Sequence, residues 1–163
     1  LHPFEVVLVA QNPQPENDDW TALAFILIDK STNKLLAFAR FHNVRITLDN
    51  EIFDVLGLAT LVAVDKGKGY GTKVIRSMSD YCIDNNKVGL GFCNPKLSPF
   101  YINRGFGILR KGGKRFLFKN SDGEIVPSRF GVNDVIFIPK ENELMDKLIK
   151  NPKSIGYLSR PQW

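Results

Sequence analysis

Short apolar blocks of strand length dominate the first sixty-odd residues. Phe4–Ala10 (FEVVLVA) is apolar and β-branched and predicts a strand. Asn12–Asp19 is rich in Pro, Asn and Asp and predicts a loop. Trp20–Asp29 and Lys34–Thr47 are two long apolar runs around the turn-forming segment Lys30–Asn33, which predicts an antiparallel hairpin. After the turn pair Asp49-Asn50, Glu51–Asp65 (EIFDVLGLATLVAVD) is nearly continuously apolar from Val55 to Val64. That continuity predicts a strand buried on both faces. Gly57 within it marks a bulge or a close approach of another group to the backbone.

The period then changes. From Gly71 onward Val74, Ile75, Met78 and Cys82 recur at helical spacing, and the helix is expected to end near Asn85-Asn86. Lys87–Cys93 is a short apolar strand. Ser98-Pro99 opens a short helix, with Ser as cap and Pro at the first helical position, and Arg104-Gly105 closes it. Arg115–Lys119 and Val135–Pro139 predict two more strands, and Glu141–Lys150 an amphipathic helix. The order predicts a mixed α/β (α+β) fold, a central mixed sheet flanked by helices, in a single domain over residues 1–163. Parallel strands on either side of the Gly71 helix require a right-handed crossover.

Composition narrows the function classes. Hydrophobic residues make up 44% and charged residues 24%, enough apolar surface for a packed core. The net charge of +5 is modest for a nucleic-acid binder and suits a protein that holds a polyanionic cofactor. No apolar run approaches the roughly 18 residues that cross a bilayer, so no membrane partner is expected. Cys82 and Cys93 lack Cys-x-x-Cys spacing and read as reduced core residues of a cytoplasmic protein. His2 and His42 are too scattered for a metal cluster, and no metal is expected.

The candidate chemistry lies where the buried strand turns into the helix. Asp65-Lys66-Gly67-Lys68-Gly69-Tyr70-Gly71-Thr72 places three glycines in five residues directly before a helix. Such a turn gathers backbone N–H groups at a positive dipole end and suits a phosphate or pyrophosphate. The order Gly71-Thr72-Lys73 does not make a P-loop. Gly67-x-Gly69-x-Gly71 does not make the dinucleotide fingerprint either, and Lys87–Cys93 ends without the required acid. Lys66-x-x-Gly69-x-Gly71 instead resembles the Arg/Gln-x-x-Gly-x-Gly/Ala signature of GNAT acetyltransferases. Pro99-Phe-Tyr-Ile-Asn-Arg-Gly-Phe106 resembles the Phe-Tyr-x-x-x-Gly-Phe motif of the same family. The resemblance covers Leu56 to Ile108.

The resemblance implies a GNAT-like mixed sheet; Asn12–Asp19 is too short and breaker-rich to supply the N-terminal helices, which are either short or missing or lie upstream of Leu1. It implies acetyl-CoA as cosubstrate and transfer of the acetyl group to a primary amine of a small molecule or a peptide. Leu61, Val62, Ala63 and Val64 would pair with the pantetheine arm. Lys66, Gly67, Lys68, Gly69, Tyr70, Gly71 and Thr72 would hold the pyrophosphate, and Asn94 would bond the arm. Tyr101 would bind beside the thioester and act as general acid, since a phenol near pKa 10 is protonated at neutral pH. Glu51 and Asp54 are weak candidates for general base, with His42 third. The Phe-Tyr-x-x-Arg-Gly stretch and Trp163 also resemble aminoglycoside 2′-N-acetyltransferases, which allows an aminoglycoside-like acceptor. The competing reading is an inactive CoA-binding sensor, or a module that binds protein or nucleic acid. Nucleic acid is not expected as a partner, and a homodimer is left open.

Overall fold

The structure, a computed structural model, describes residues 3–10, 22–126, 130–161 and 163. Strands β1 (Phe4–Ala10), β2 (Ala22–Asp29), β3 (Lys34–Leu48) and β4 (Glu51–Ala63) form an antiparallel meander. Helix α1 (Tyr70–Asp84) leads to β5 (Gly89–Cys93), which lies parallel to β4. A 3-10 turn at Pro95–Leu97 runs into α2 (Ser98–Ile102), followed by β6 (Gly107–Leu109), a 3-10 turn at Gly112–Arg115, and β7 (Phe116–Lys119). The chain finishes with β8 (Ile125–Val126), β9 (Asp134–Ile138), α3 (Glu143–Lys150) and β10 (Gly156–Leu158). The strands make one curled mixed sheet in the order β6-β9-β5-β4-β3-β10-β7-β8. The long β3 shares its other edge between β10 and the β2–β1 hairpin.

The side-chain period explains the layering. On α1, Val74, Ile75, Met78 and Cys82 are fully buried and pack on one face of the sheet. Ala37, Ala39 and Phe41 of β3 point to that same face. Farther along β3, Val44, Ile46 and Leu48 point the other way, into a second core closed by Leu144, Met145 and Leu148 of α3. Because side chains alternate along a strand, Arg40 and His42 also point to the face away from α1. Helix α3 begins where Asn142 accepts the N–H of Met145 at 3.0 Å, a side-chain cap.

The predicted hairpin is present, closed by Asp29, whose carboxylate accepts from the N–H and hydroxyl of Ser31 at 2.8 and 2.6 Å. Trp20 and the loop expected over Asn12–Asp19 lie outside the described residues. Both cysteines are buried and free, as expected. The strand predicted over Glu51–Asp65 needs correction: only Val55–Ala59 is buried, and Val62 and Val64 are more than half exposed. Its neighbour β5 keeps register with it at only two pairs, Leu56↔Gly89 and Gly57↔Leu90. Three further strands, β6, β8 and β10, have two or three residues each and show no sequence period.

A buried acid ties the site's elements together. Asp134 of β9, 1% exposed, accepts from Ser98 Oγ at 2.6 Å, Arg110 Nη1 at 2.7 Å and the Lys111 N–H at 2.8 Å. It thereby fixes the start of α2 and the end of β6 to the middle of the sheet. Burial by itself pushes the carboxyl pKa up, but these donors outweigh it and hold the group below the usual carboxylate range. A depressed folded-state pKa gives stability that is present above the unfolded value and lost as pH falls through the folded one. Asp134→Asn is expected to lower stability at pH 7 by about 2 kcal/mol. In urea unfolding the gap from wild type should narrow once the pH is below about 3.9; a gap independent of pH would contradict this account.

Candidate cofactor and acyl-transfer site

The site begins with a break in strand pairing. Between β3 and β4 the register shifts by one residue, from Arg40↔Ala59 to Phe38↔Val62, and Thr60 takes a left-handed conformation at φ 52°. This is a β-bulge, and it reverses which residues aim their backbone groups at each edge. Before the bulge, Leu56 donates its N–H to Val88 O at 2.8 Å, on the β5 side. After it, Val64 donates to Leu36 O at 2.9 Å, on the β3 side. By alternation, the N–H and C=O of Ala63 then face the side that β5 has left. Trp163 Nε1 donates to Leu58 O at 2.8 Å, one residue past the last β4–β5 pair. Among the described residues, the rest of that edge has no strand partner.

The loop after β4 supplies the second part. Gly67 and Gly69 have φ of 79° and 75°, a region that suits glycine. Gly69 precedes α1 directly, with no side-chain cap and no acid in the first turn. The first N–H groups of α1 therefore lack both an intrahelical partner and a capping side chain. A Cβ built on Gly67 or Gly69 meets nothing within 4 Å, and one on Gly71 meets only Leu61 at 3.9 Å. The described residues thus leave the space over the loop open. A cavity of about 470 Å³ lies there, bordered by Leu61, Ala63, the loop, the start of α1, and Phe100 and Arg104.

Arg104 carries chemistry that sequence reasoning missed; the motif reading treated it only as the end of the α2 helix. Its guanidinium carbon stands 3.7 Å from the centre of the Phe100 ring. It donates to Thr72 Oγ1 from Nη2 at 2.6 Å and from Nε at 3.0 Å. A cation is thereby fixed at the cavity border against the first turn of α1. Its place could have been inferred only by knowing that α2 packs against α1. Asp65 also borders the cavity, but Lys66 and Arg104 outnumber it.

The predicted site residues divide accordingly. Leu61, Ala63, Lys66, Gly67, Gly69, Tyr70, Gly71 and Thr72 all border the cavity. Val62, Val64 and Lys68 do not, since alternation turns the two valine side chains to the other face. Asn94 is exposed, and its side-chain oxygen accepts from the Lys96 N–H at 3.0 Å, capping its own 3-10 turn instead of reaching the cavity. Glu51 and Asp54 lie at the far end of β4, paired with Lys147 and Arg45. At a rise of ~3.3 Å per residue, Glu51 is roughly 23 Å and Asp54 roughly 13 Å from Leu58. Neither is placed to take a proton at the break in the sheet.

Tyr101 is buried in the core beneath α1, edge-on to Phe100 and Phe106 at 5.1 and 5.5 Å, and is not among the residues bordering the cavity. Burial, with a smaller push from Cys93, raises its phenol to about 12. His42 stands opposite Gly57 on β3 and is 3% exposed. Burial lowers its pKa, and Arg40 and Arg160 push it the same way, which favours the neutral imidazole.

No protein-family model matches the sequence, and no curated protein matches it. Solved structures match in fold. A GNAT family N-acetyltransferase from Escherichia coli in complex with CoA is 14% identical, with a TM-score of 0.54 over 83% of this chain and 65% of its own. A probable N-acyltransferase from Enterococcus faecalis V583 is 10% identical, with a TM-score of 0.50 over 70% of this chain and 37% of its own. A bacterial toxin is 16% identical, with a TM-score of 0.52 over 80% of this chain and 73% of its own. The chain thus spans less than two thirds of the length of the first two. At these identities the likeness is one of fold, and the fold is that of the GNAT N-acetyltransferases.

Because Gly71 has an ordinary φ and room for a Cβ, Gly71→Ala should fold as wild type. Gly71→Asp should fold too, yet lose measurable acetyl-CoA affinity by calorimetry, through a carboxylate set against the phosphates. Arg104→Ala should weaken the affinity by about tenfold or more. Unchanged titrations of Gly71→Asp and Arg104→Ala would remove the loop and Arg104 from cofactor binding.

Proposed function

We propose that the protein transfers an acetyl group from acetyl-CoA to a primary amine of a small molecule or a peptide. One observation carries this reading: the free edge of β4 beyond Leu58 runs into the uncapped start of α1 along one continuous cavity. An extended amide-bearing arm ending in a pyrophosphate fits that sequence of groups, with strand-like pairing at one end and gathered N–H donors at the other. Acetyl-CoA brings an activated acyl group and a thiolate leaving group.

The chain's own groups supply the remainder. The backbone of Leu61 and Ala63 aligns the arm, and the loop Lys66–Thr72 with Arg104 balances the phosphate charge. An N–H on the free edge of β4 stabilises negative charge developing on the carbonyl oxygen. Tyr101 is the hydroxyl group on the leaving-thiol side. At about 12 its phenol is a weaker acid than an ordinary thiol near 8.5. It therefore serves as a hydrogen-bond donor to the emerging thiolate, not as a ready source of a free proton. Neither Glu51 nor Asp54 serves as base, and the incoming ammonium loses its proton to water or to a neutral group on the far face.

The second reading, a CoA-binding protein without turnover, is favoured by one observation: Tyr101 is buried away from the cavity border. A thiol-release assay with acetyl-CoA over a library of amines, including aminoglycosides and peptides, separates the two. Turnover above the amine-free rate is expected. Tyr101→Phe should lower kcat by about a hundredfold while leaving acetyl-CoA affinity within about twofold. Tight binding with no thiol release from any amine would establish the sensor reading instead.

A further inference from the structure

Pairing between β4 and β5 ends at Gly57, and on the α1 side the cavity assigned above to acetyl-CoA borders the strand beyond it. On the acetyl-transfer reading the arm fills that cavity, which leaves the opposite face of the sheet for the attacking nucleophile. The residues on that face follow from register. Gly57, opposite His42, is the last β4 residue paired to β5. The indole of Trp163 lies against it, 2.6 Å from where a Cβ would stand, and its N–H takes the Leu58 carbonyl. Phe92 meets the indole ring at 5.5 Å. One pair farther on, Arg40 stands opposite Ala59, immediately before the bulge at Thr60. Its Nε is buried and has no hydrogen-bond partner.

A buried guanidinium nitrogen without a partner is costly, and the cost falls when an anion meets it. Arg160 adds positive charge nearby, since Arg40 and Arg160 both act on the His42 imidazole, which is itself held toward its neutral form. The far face beside the break therefore carries a short aromatic wall, Trp163 and Phe92, beside a basic floor of Arg40 and Arg160. We propose that the acceptor is an amine that carries a carboxylate close to the reacting nitrogen, as an amino acid does, and that Arg40 receives the carboxylate. The proposal rests on the acetyl-transfer reading above and gives it a substrate class. A guanidinium grips a carboxylate through two parallel N–H donors, which fixes orientation as well as affinity. With the carboxylate held beside Ala59, the amine would lie toward the free edge of β4. Polycationic amines would be repelled from the same floor.

The test uses matched pairs: α-amino acids against their primary amides, with an aminoglycoside as a polycationic control, in the thiol-release assay. The acids should show a kcat/KM about tenfold or more above their amides, mainly through KM. Arg40→Gln should reduce that preference to near unity, by lowering kcat/KM for the acids far more than for the amides. Arg40→Lys, which keeps the charge without the planar fork, should restore part of the preference. Equal efficiency for acids and amides, a preference unaltered in Arg40→Gln, or best turnover with the aminoglycoside would each overturn the proposal. A lower melting temperature in Arg40→Gln with an unaltered preference would assign Arg40 to a purely structural pairing. If no amine in any class releases thiol while calorimetry shows acetyl-CoA bound, the transfer reading itself fails and the acceptor assignment falls with it. An active enzyme without acid preference refutes only the acceptor class.

Discussion

A strand in the middle of a sheet ordinarily satisfies its N–H and C=O groups on both sides, and β4 does so only as far as Gly57. Beyond that point β5 turns away toward β9, and the bulge at Thr60 rotates the backbone so that Ala63 aims its polar groups into the space left behind. Unmet backbone groups in a sheet interior are expensive, so such an edge persists only where something polar can occupy it. Trp163 meets one carbonyl from the far face. The remaining groups form a ready-made template for an extended chain, because an open strand edge pairs with another extended backbone regardless of what that backbone carries.

The loop and helix complete the site because they leave the same end of the sheet. Since Gly67 and Gly69 adopt positive φ, the chain turns sharply enough for α1 to start beside the free edge. The helix start is uncapped and lacks acids, so its dipole is not cancelled locally. Arg104 adds a full charge beside the helix start, and its position is held from three directions: the Phe100 ring, the Phe100 carbonyl and the Thr72 hydroxyl. Asp134 acts at one remove, since its bond to Ser98 fixes the first residue of the helix that carries Phe100 and Tyr101. Rigid support of this kind keeps charged groups oriented without a ligand to organise them.

The sheet's two faces do different work. One carries α1 and α2 and closes a core in which Tyr101 is embedded. The other carries α3 and the end of the chain, with Trp163 in its packing. Strand β3 crosses between them, burying Ala37, Ala39 and Phe41 on one face and Val44, Ile46 and Leu48 on the other. That crossing puts Arg40 and His42 on the far face, opposite the β4 residues Ala59 and Gly57 where pairing to β5 ends.

Local chemistry made several features legible in the one-dimensional chain. The α1 face at Val74, Ile75, Met78 and Cys82, the hairpin turn at Lys30–Asn33 and the glycine loop before α1 all depend on neighbours within a few residues. The cavity-bordering residues from Leu61 to Thr72 were readable for the same reason, apart from the valines and Lys68. What tertiary structure decided is what depends on partners distant in sequence. The strand over Glu51–Asp65 looked buried throughout, yet its second half is open, because burial there depends on where β5 goes and not on β4 itself. Glu51 and Asp54 looked near the chemistry because they share a strand with it, but an extended strand carries residues apart quickly. Asn94 was turned to capping by the 3-10 turn that follows it. Arg104 and Arg40 carried no local signal at all: one is held at the cavity by α1, thirty-two residues earlier in the chain, and the other is placed beside Ala59 by pairing between β3 and β4. The sequence by itself determined the elements and the glycine-rich turn before α1, because those arise from backbone preferences over short spans. The fold alone decided which side chains face the gap, because that is set by pairing between strands.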